Sequence, residues 1–173
     1  MLDRTRPQEV ETEPLDLKSF LRRIFETIGP LLSNRGVRLY EEVEAELPLI
    51  NANADRLQQA FINLVNNALD AMPDGGELTI TALGRTTAEG REHVVVEIAD
   101  TGAGMTESVR ARIFDWMFTT KSRGQGTGLG LVIVRQAVRE HGGSIEVSSR
   151  PGEGTCFRLI FPAAEEALKS AVS

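Results

Sequence analysis

The sequence is poor in several features, and each shortage narrows what this protein can be. Its 173 residues include a single cysteine, Cys156, so no disulfide can form within the chain, as is usual in a reducing compartment. No apolar run approaches the roughly 20 residues of a transmembrane helix, and no signal peptide is visible. We therefore expect a cytoplasmic domain without direct membrane contact, and any membrane anchor would belong to a longer parent chain.

Positive charge and histidine are also scarce. Lys and Arg total 19 against 25 Asp and Glu, and the net charge of −6 argues against nucleic acid as the main partner. The apolar fraction of 41% and the charged fraction of 25% are ordinary for a globular protein. The length suffices for one domain with a core and at most a short appendage.

Hydrophobic periodicity predicts three main helices and five strands. Helical spacing of apolar residues marks "LDLKSFLRRIFETIGPLL", a second helix from Asn53 or Asp55 to about Met72, and a third from Leu129 to His141. Alternation marks strands in "VRLYEEVE", "GELTITAL", "HVVVEIAD", "SIEVSS" and "TCFRLIFP". The predicted fold is α/β, a two-layer sandwich with a mixed, mostly antiparallel sheet of about five strands and three main helices on one face.

The two ends of the chain differ from its middle. Residues 1–14 are charged, contain two prolines and lack apolar rhythm, so we expect a flexible leader or linker there. We expect the domain itself over residues 15–162 and a frayed or helical tail over residues 163–173. Within the domain, a short helix is expected from Glu107 to Phe114.

Three asparagines lie within five residues on the polar side of the second helix, at Asn63, Asn66 and Asn67. Asparagine is a mediocre helix former, and a free surface position more readily takes Glu, Lys or Arg. Asn63 and Asn67 are four residues apart, so their side chains point the same way from consecutive turns. Their amide oxygens suit Mg²⁺ beside the phosphates of a nucleotide. A ligand site and a solvated surface remain equally open from this segment alone.

A second candidate site begins where a strand ends. The apolar strand in "VVVEIAD" delivers Asp100 to its end, and Gly102 and Gly104 follow at once. The glycines let the backbone approach a ligand closely, so the Asp100 carboxylate is well placed to accept a hydrogen bond from it. An ordinary Asp-Thr-Gly turn is the alternative interpretation.

A third candidate is the glycine-dense stretch "GQGTGLGLVIVRQAVREHGG", residues 124–143. It lacks the Lys-Ser/Thr ending of a Walker A loop, and Leu129 occupies a position where G-x-G-x-x-G requires glycine. What remains is a glycine-rich loop that opens onto a helix N-terminus, whose N–H groups and dipole favour an anion. Lys121 lies just upstream and could reach a terminal phosphate. A flexible loop before an ordinary helix is the alternative.

Together and in this order, the motifs resemble the ATP-binding catalytic domain of sensor histidine kinases, within the family shared with gyrase, Hsp90 and MutL. "NLVNNALDAM" resembles the N box, "DTGAGM" the G1 box, "IFDWMFTTK" the F box, "GTGLGL" the G2 box and "GEGTCFRLIFP" the closing G-x-G-T-x-F segment. The similarity runs from about Leu15 to Pro162, and five motifs in the right order and spacing are highly specific. It implies the Bergerat-type ATP-binding fold. The F box departs from the family's usual Pro-Phe pair, with Trp116 and Met117 before Phe118, which leaves the packing of a lid open.

The resemblance implies a role for each matched position. Asn67 and Asn63 would hold Mg²⁺ and the phosphates, Asp100 would accept a hydrogen bond from the adenine amino group, and Gly102 and Gly104 would make room for the base. The implied ATP-binding residues are Asn63, Asn67, Asp70, Asp100, Gly102, Gly104, Met105, Thr120, Lys121, Gly126, Thr127, Gly128, Leu129 and Thr155.

The family also implies a mobile lid over the nucleotide, from about residue 105 to residue 128. Phe114 and Phe118 would anchor it, and ordinary core packing is a compatible interpretation for both and for Trp116. Thr120 and Lys121 would contact phosphates from the lid.

The remaining implied contacts come from two later segments. Backbone N–H groups from Gly126 to Leu129 would bind the phosphates, and Thr155 would lie near the adenine.

Members of the family divide into hydrolases and kinases, and Asn63 bears on the choice. In gyrase-like and Hsp90-like members, a glutamate one turn before the helix asparagine activates water. Here that position is Asn63, and an amide cannot act as a general base. We therefore expect phosphoryl transfer to an external acceptor, in which positioning and charge neutralisation supply most of the catalysis.

Histidine kinases of this family phosphorylate a histidine on a helical hairpin, next to an acidic residue. This chain has only His93, which enters a strand, and His141 in the last turn of a helix, where the dipole favours a partial positive charge and the role is structural. The chain thus resembles a catalytic domain of a longer two-component signalling kinase, which would bind ATP and Mg²⁺ without phosphorylating itself. Its implied partners are the dimerisation and phosphotransfer hairpin of the parent kinase and a downstream response regulator. Since dimerisation belongs to the hairpin, we expect a monomer.

Two other functions stay open: a nucleotide-binding regulatory module that acts through partner contacts, and a stand-alone ATPase or serine kinase of the same fold. The intact N, G1 and G2 boxes argue against a degenerate module. Phosphoryl transfer in trans to an acceptor hairpin would separate the enzyme from the module.

Overall fold

The computed structural model describes residues 9–120 and 129–165. The elements in chain order are β1 Glu13–Leu15, α1 Leu17–Asn34, β2 Val37–Val43, β3 Ile50–Ala52, α2 Ala54–Ala71, β4 Gly76–Thr86, β5 Glu92–Asp100, α3 Glu107–Arg110, α4 Gly130–Glu140, β6 Ser144–Ser149 and β7 Thr155–Pro162. Across the described ranges, none of the helices combines the length and apolar character needed to cross a membrane.

Five strands form the main sheet, in the spatial order β2-β4-β5-β7-β6. β2 and β4 run parallel, and the other three pairings are antiparallel. A parallel pair needs a crossover connection, which α2 supplies between these two strands. The prediction of a mixed, mostly antiparallel sheet of about five strands in an α/β fold is therefore confirmed.

The core lies between one face of this sheet and the three long helices. Alternate residues of the central strands are buried, as for Ile80 in β4, Val96 in β5 and Leu159 in β7. Each long helix contributes one apolar stripe, and Phe20 of α1 meets Phe61 of α2 edge to face, with ring centroids 5.5 Å apart. The buried stripe of α2 fixes which of its faces remains available to a ligand.

The short helix α3 ends earlier than the sequence suggested. We expected a helix from Glu107 to Phe114, but α3 stops at Arg110. Beyond it, the N–H groups of Arg112 and Asp115 donate to carbonyls three residues back, so the chain continues in tight turns.

The ordered fold also begins earlier than expected. Residues 1–14 were predicted to be a flexible leader, yet Glu13–Leu15 pairs antiparallel with Ile50–Ala52 in a separate two-stranded sheet. At the other end, Ala163 is buried and bridges Ile50, so the expected tail begins against the same strand. Residues 1–8 and 166–173 of the expected leader and tail lie outside the described residues.

Asn53 and His141 join this small sheet to two helices. The Asn53 side chain caps α2 by accepting from the N–H of Arg56 at 3.0 Å, and its amide nitrogen donates to the carbonyl of Glu11 at 3.0 Å. Its backbone N–H donates to Nε2 of His141 at 2.9 Å. His141 Nδ1 contacts the carbonyl of Ala137, which can only accept, so this nitrogen carries the proton. The structural role of His141 fits the sequence prediction, because both of its ring nitrogens are hydrogen-bonded within the fold.

Candidate functional site

A cavity of about 500 Å³ opens beside the polar face of α2, within the size range of small-molecule sites. Its walls come from α2, the end of β5, the segment after β5, the first turn of α4 and the start of β7. The predicted site residues that line it are Asn63, Asn67, Asp70, Asp100, Gly104, Met105, Thr120 and Thr155. The sequence motifs therefore converge on one cavity, although they are separated by up to 92 positions between Asn63 and Thr155.

The polar wall on α2 is built by amide side chains. Asn63 and Asn67 are half-buried and lie one turn apart on the cavity side, while the apolar stripe opposite packs into the core. Asn63 Nδ2 donates to the carbonyl of Gly130 at 3.4 Å, so its amide oxygen is the atom left for a ligand. Asp70 follows on the same face and is exposed.

Asp100 is the buried charged group of the cavity. Its residue is 8% exposed, and its Oδ1 accepts from the N–H of Gly102 at 2.8 Å. Burial raises the pKa of the Asp100 carboxyl above its ordinary value, while the backbone N–H groups of Gly102 and Thr155 act in the opposite direction. A buried carboxylate with unused lone pairs at a cavity wall suits a ligand that donates hydrogen bonds.

The two glycines after Asp100 have different tasks. Gly104 lines the cavity at φ +69, and a Cβ there would collide with the backbone carbonyl of Arg150. Gly102 does not line the cavity. A Cβ on Gly102 would lie 2.6 Å from the carbonyl oxygen of Ala71, so this glycine lets the turn pack against the end of α2. We predicted that Gly102 and Gly104 both make room for a base. In the structure, Gly104 lines the cavity, whereas Gly102 makes room for the end of α2.

The structure describes the glycine-rich stretch only from Leu129 onward. Lys121, Gly126, Thr127 and Gly128 lie outside the described residues, so the contacts expected of them stay predictions. Leu129 is the N-cap position of α4 and does not line the cavity, whereas Gly130 and Leu131 do. The side chain of Leu129 makes no capping hydrogen bond, and the N–H of Ile133 donates to the carbonyl of Leu129. The positive end of the α4 dipole, at Gly130 and Leu131, therefore lies beside the cavity.

The F-box aromatic residues do not form one buried cluster. Phe118 lines the cavity, and the Arg112 guanidinium lies 4.5 Å from its ring centroid. Phe114 is half-buried and packs against the core. Trp116 is 72% exposed and Met117 is 57% exposed, so core packing is wrong for Trp116.

Sequence reasoning missed a residue behind the cavity wall. Ser149 Oγ lies 2.8 Å from Thr155 Oγ1 and 2.9 Å from the backbone nitrogen of Met105. Ser148 and Ser149 are an ordinary pair before a turn, so nothing in the sequence distinguishes the second serine. Only the strand register, which pairs Ser149 with Thr155, brings it to this position.

The fold and the cavity together indicate one class of protein. A two-layer sandwich presents a buried acceptor carboxylate, a pair of helix amides and a helix N-terminus around one cavity, an arrangement typical of a nucleotide-binding domain. Residues 52–165 match the family model described as "Histidine kinase-, DNA gyrase B-, and HSP90-like ATPase", and the chain belongs to this family.

Curated relatives narrow the type within the family. The chain is 32% identical over 162 residues to Sporulation kinase E of Bacillus subtilis (strain 168), covering 94% of this chain and 21% of the relative. It is 35% identical to Sensor histidine kinase ZraS of Klebsiella oxytoca, covering 94% of this chain and 34% of the relative. The chain is therefore an ATP-binding catalytic domain of the histidine kinase type, and it spans about a fifth to a third of these relatives.

Solved structures agree with this assignment. The catalytic domain of histidine kinase ThkA, in a nucleotide-free form, superposes with a TM-score of 0.77 at 29% identity, covering 91% of this chain and 99% of that domain. Full-length ShkA in complex with AMPPNP superposes with a TM-score of 0.76 at 32% identity, covering 90% of this chain and 32% of ShkA. ThkA in complex with the response regulator protein TrrA has a TM-score of 0.72 at 25% identity, covering 90% of this chain and 42% of that one.

Proposed function

We propose that this domain binds ATP with Mg²⁺ and donates the γ-phosphoryl group to a histidine on the helical hairpin of a longer two-component kinase. The observation that carries the proposal is the convergence of Asp100, the α2 asparagines and the start of α4 on one cavity. The ATP-analogue complex of ShkA supports the same choice of ligand.

The cavity offers different chemistry to the base and to the phosphates. The buried carboxylate of Asp100, beside Thr155, accepts hydrogen bonds and so suits the amino group of adenine. The N-terminus of α4 at the cavity suits phosphate oxygens, because the N–H groups and the dipole of a helix N-terminus favour negative charge. Thr120, at the end of the described segment before the glycine-rich loop, also lines the cavity and would contact phosphates.

The α2 asparagines fit Mg²⁺ in the way nucleotide sites usually hold it. Within residues 9–120 and 129–165, no group of three or more His, Cys, Asp or Glu side chains could hold a metal ion by itself. Amide oxygens of Asn63 and Asn67 would therefore share the ion with phosphates and water. When bound, Mg²⁺ would neutralise phosphate charge, and the asparagines would fix its position.

The position of Asn63 favours transfer over hydrolysis. A hydrolase needs a group that removes a proton from water, and an amide has no basicity for that task. The Asn63 amide nitrogen also donates to the carbonyl of Gly130, which connects this side chain to the start of α4. We propose that this residue positions the helix and the ligand and leaves the acceptor to supply the nucleophile.

Neither histidine of the chain is placed to be that nucleophile. His93 and Asp100 lie near opposite ends of β5, about 23 Å apart along the strand. His141 follows the last residue of α4, about 16 Å along the helix from Gly130 at the cavity. His141 is also buried, and both of its nitrogens are hydrogen-bonded.

A transfer assay in trans tests the proposal. The domain is incubated with γ-labelled ATP and Mg²⁺, with and without the acceptor hairpin of its parent kinase. We expect an acid-labile, base-stable label on the hairpin and none on this chain. An alanine in place of the hairpin histidine is the matched control and should remain unlabelled.

The same assay separates the alternatives. Release of free phosphate without a labelled hairpin would favour an ATPase, and acid-stable labelling of a partner serine would favour a serine kinase. Binding of ATP without any transfer would favour a regulatory module. The response regulator is proposed as the downstream partner because the related ThkA is known in complex with one.

A further inference from the structure

Ser149 lies at the end of β6 and joins three parts of the cavity wall through one hydroxyl group. Its Oγ lies 2.9 Å from the backbone nitrogen of Met105, 2.8 Å from the carbonyl oxygen of Gly154 and 2.8 Å from Thr155 Oγ1. Met105 and Thr155 line the cavity, whereas Ser149 stands behind them. One side chain thus connects the turn after β5 to the loop before β7.

The direction of each of these hydrogen bonds follows from what the partners can do. A backbone N–H can only donate, so Met105 donates to the serine oxygen. A carbonyl can only accept, so the single hydroxyl proton of Ser149 goes to Gly154. The remaining contact can be filled only by the Thr155 hydroxyl, which must donate its own proton to Ser149.

This arrangement determines what Thr155 offers to the cavity. Because its proton is directed at Ser149, the Thr155 oxygen has lone pairs but no proton left for a ligand in the cavity that Thr155 lines. Asp100 is its partner in the register of β5 and β7, so the two side chains lie next to each other on the same face of the sheet. The Asp100 carboxylate accepts from Gly102 and adds further acceptor capacity.

We infer that Ser149 is a positioning residue for base selection, which holds Thr155 as an acceptor so that the wall beside Asp100 favours adenine over guanine. This inference rests on the proposed function, since it concerns the base of the same nucleotide. Adenine carries an amino group where guanine carries a carbonyl oxygen. At that ring position, an acceptor-only wall binds the adenine amino group and repels the guanine carbonyl oxygen, and a buried mismatch of this kind is costly.

The decisive variant is Ser149→Ala. It frees the Thr155 hydroxyl to rotate and donate to guanine, and it leaves the N–H of Met105 without its acceptor. We expect the affinity for ATP to fall about 3- to 10-fold and the ATP-over-GTP preference to fall by about 5-fold or more, as for the loss of one hydrogen bond. Titration calorimetry with each nucleotide and Mg²⁺ measures both quantities.

Two matched variants separate positioning from general damage. Ser148→Ala changes the neighbouring serine, which is exposed on the other face of the strand, and should keep both affinities. Ser149→Thr retains the hydroxyl on a strand-compatible side chain and should restore most of the preference for ATP. A loss of preference in the Ser148 variant equal to that in Ser149→Ala would overturn the inference.

A double-mutant cycle with Thr155→Val tests whether Ser149 acts through Thr155. Thr155→Val alone removes the hydroxyl, keeps the shape and should also lower the preference for ATP. Adding Ser149→Ala to Thr155→Val should then change the preference by less than about 2-fold, since no hydroxyl is left to orient. Independent, multiplying effects of the two substitutions on the ATP-over-GTP preference would refute the inference. If Ser149→Ala does not fold, an unchanged preference in Thr155→Val alone would still refute it.

Measurements on the wild-type protein distinguish a failure of the Ser149 inference from a failure of the proposed function. A wild-type domain that binds neither nucleotide contradicts the proposed function as well. A wild-type domain that binds ATP and GTP equally, or a Ser149→Ala variant that keeps the full preference, contradicts the inference alone.

Discussion

At the scale of single residues, Asp100 combines a cost in stability with a use in binding. The strand that carries it is apolar, and the end of that strand buries a carboxyl group to 8% exposure. Burial disfavours the charged form and raises its pKa, as happens at many ligand sites. Such a residue weakens the fold where it serves the ligand.

The pH dependence of stability tests this cost. Because the folded-state pKa of Asp100 is raised, the folded state holds its proton more tightly than the unfolded state, and ionisation destabilises the fold as pH rises from about 4 through the raised value. Asp100→Asn removes this effect, so its free energy of unfolding should gain on the wild type as pH rises through that window. Urea denaturation between pH 4 and pH 7 measures the difference.

The exposed carboxylate of Asp74, in the turn after α2, provides the control for that series. Asp74→Asn removes one carboxyl group from an exposed position and so controls for the change in net charge. A difference between wild type and Asp100→Asn that is constant with pH, or that shrinks as pH rises, would contradict the burial argument.

At the scale of elements, the long helices and the main strands were predictable and the small sheet was not. Apolar residues repeat at helical spacing in α1 and α2, and period-two alternation marks β5 and β7, because each buries one face. The strand Glu13–Leu15 has one buried residue and a partner 37 positions away, so no local pattern reveals it. Pairing of this kind depends on tertiary contacts.

The same limit applied to the candidate site. Asn63, Asn67 and Asp100 were found because asparagines in a helix and an acid at a strand end depart from the ordinary pattern. The hydroxyl network of Ser149 was missed, because its partners are brought together by strand register and turns. The role expected of Gly102 was misplaced for a similar reason, since the packing of its turn against Ala71 is a tertiary contact.

The junction of Asn53 and His141 yields a prediction at this scale. His141→Ala removes the acceptor for the N–H of Asn53 and the edge-to-face contact with Phe161. We expect the free energy of unfolding to fall by about 2–3 kcal/mol, from a buried unpaired donor and a small cavity. Chemical denaturation measures the loss, and the ATP-over-GTP preference should stay unchanged.

His93→Ala serves as the comparison for that experiment, because His93 lies at the far end of β5 and is half-buried. It should cost clearly less stability than His141→Ala. Equal losses in the two variants would mean that the junction with Asn53 adds nothing specific.

At the scale of the whole molecule, the chain is an ATP-binding catalytic domain whose acceptor is proposed to lie on another part of a longer kinase. The alignment with Sporulation kinase E covers 94% of this chain and 21% of that relative, so most of the relative has no counterpart here. The two histidines of the chain are both remote from the cavity along their elements. This geometry is consistent with a nucleotide-binding domain and a phosphoryl acceptor that lie on separate parts of a longer kinase.

The central claim is that the cavity beside α2 is an ATP site selected by Asp100, and calorimetric titration of Mg²⁺·ATP into the wild type and Asp100→Asn tests it most directly. We predict saturable one-to-one binding by the wild type and an affinity at least about 10-fold weaker for the variant, as for loss of a charge-assisted hydrogen bond. Asp74→Asn should bind like the wild type. Equal affinities of wild type and Asp100→Asn, or no binding by the folded wild type, would contradict the account.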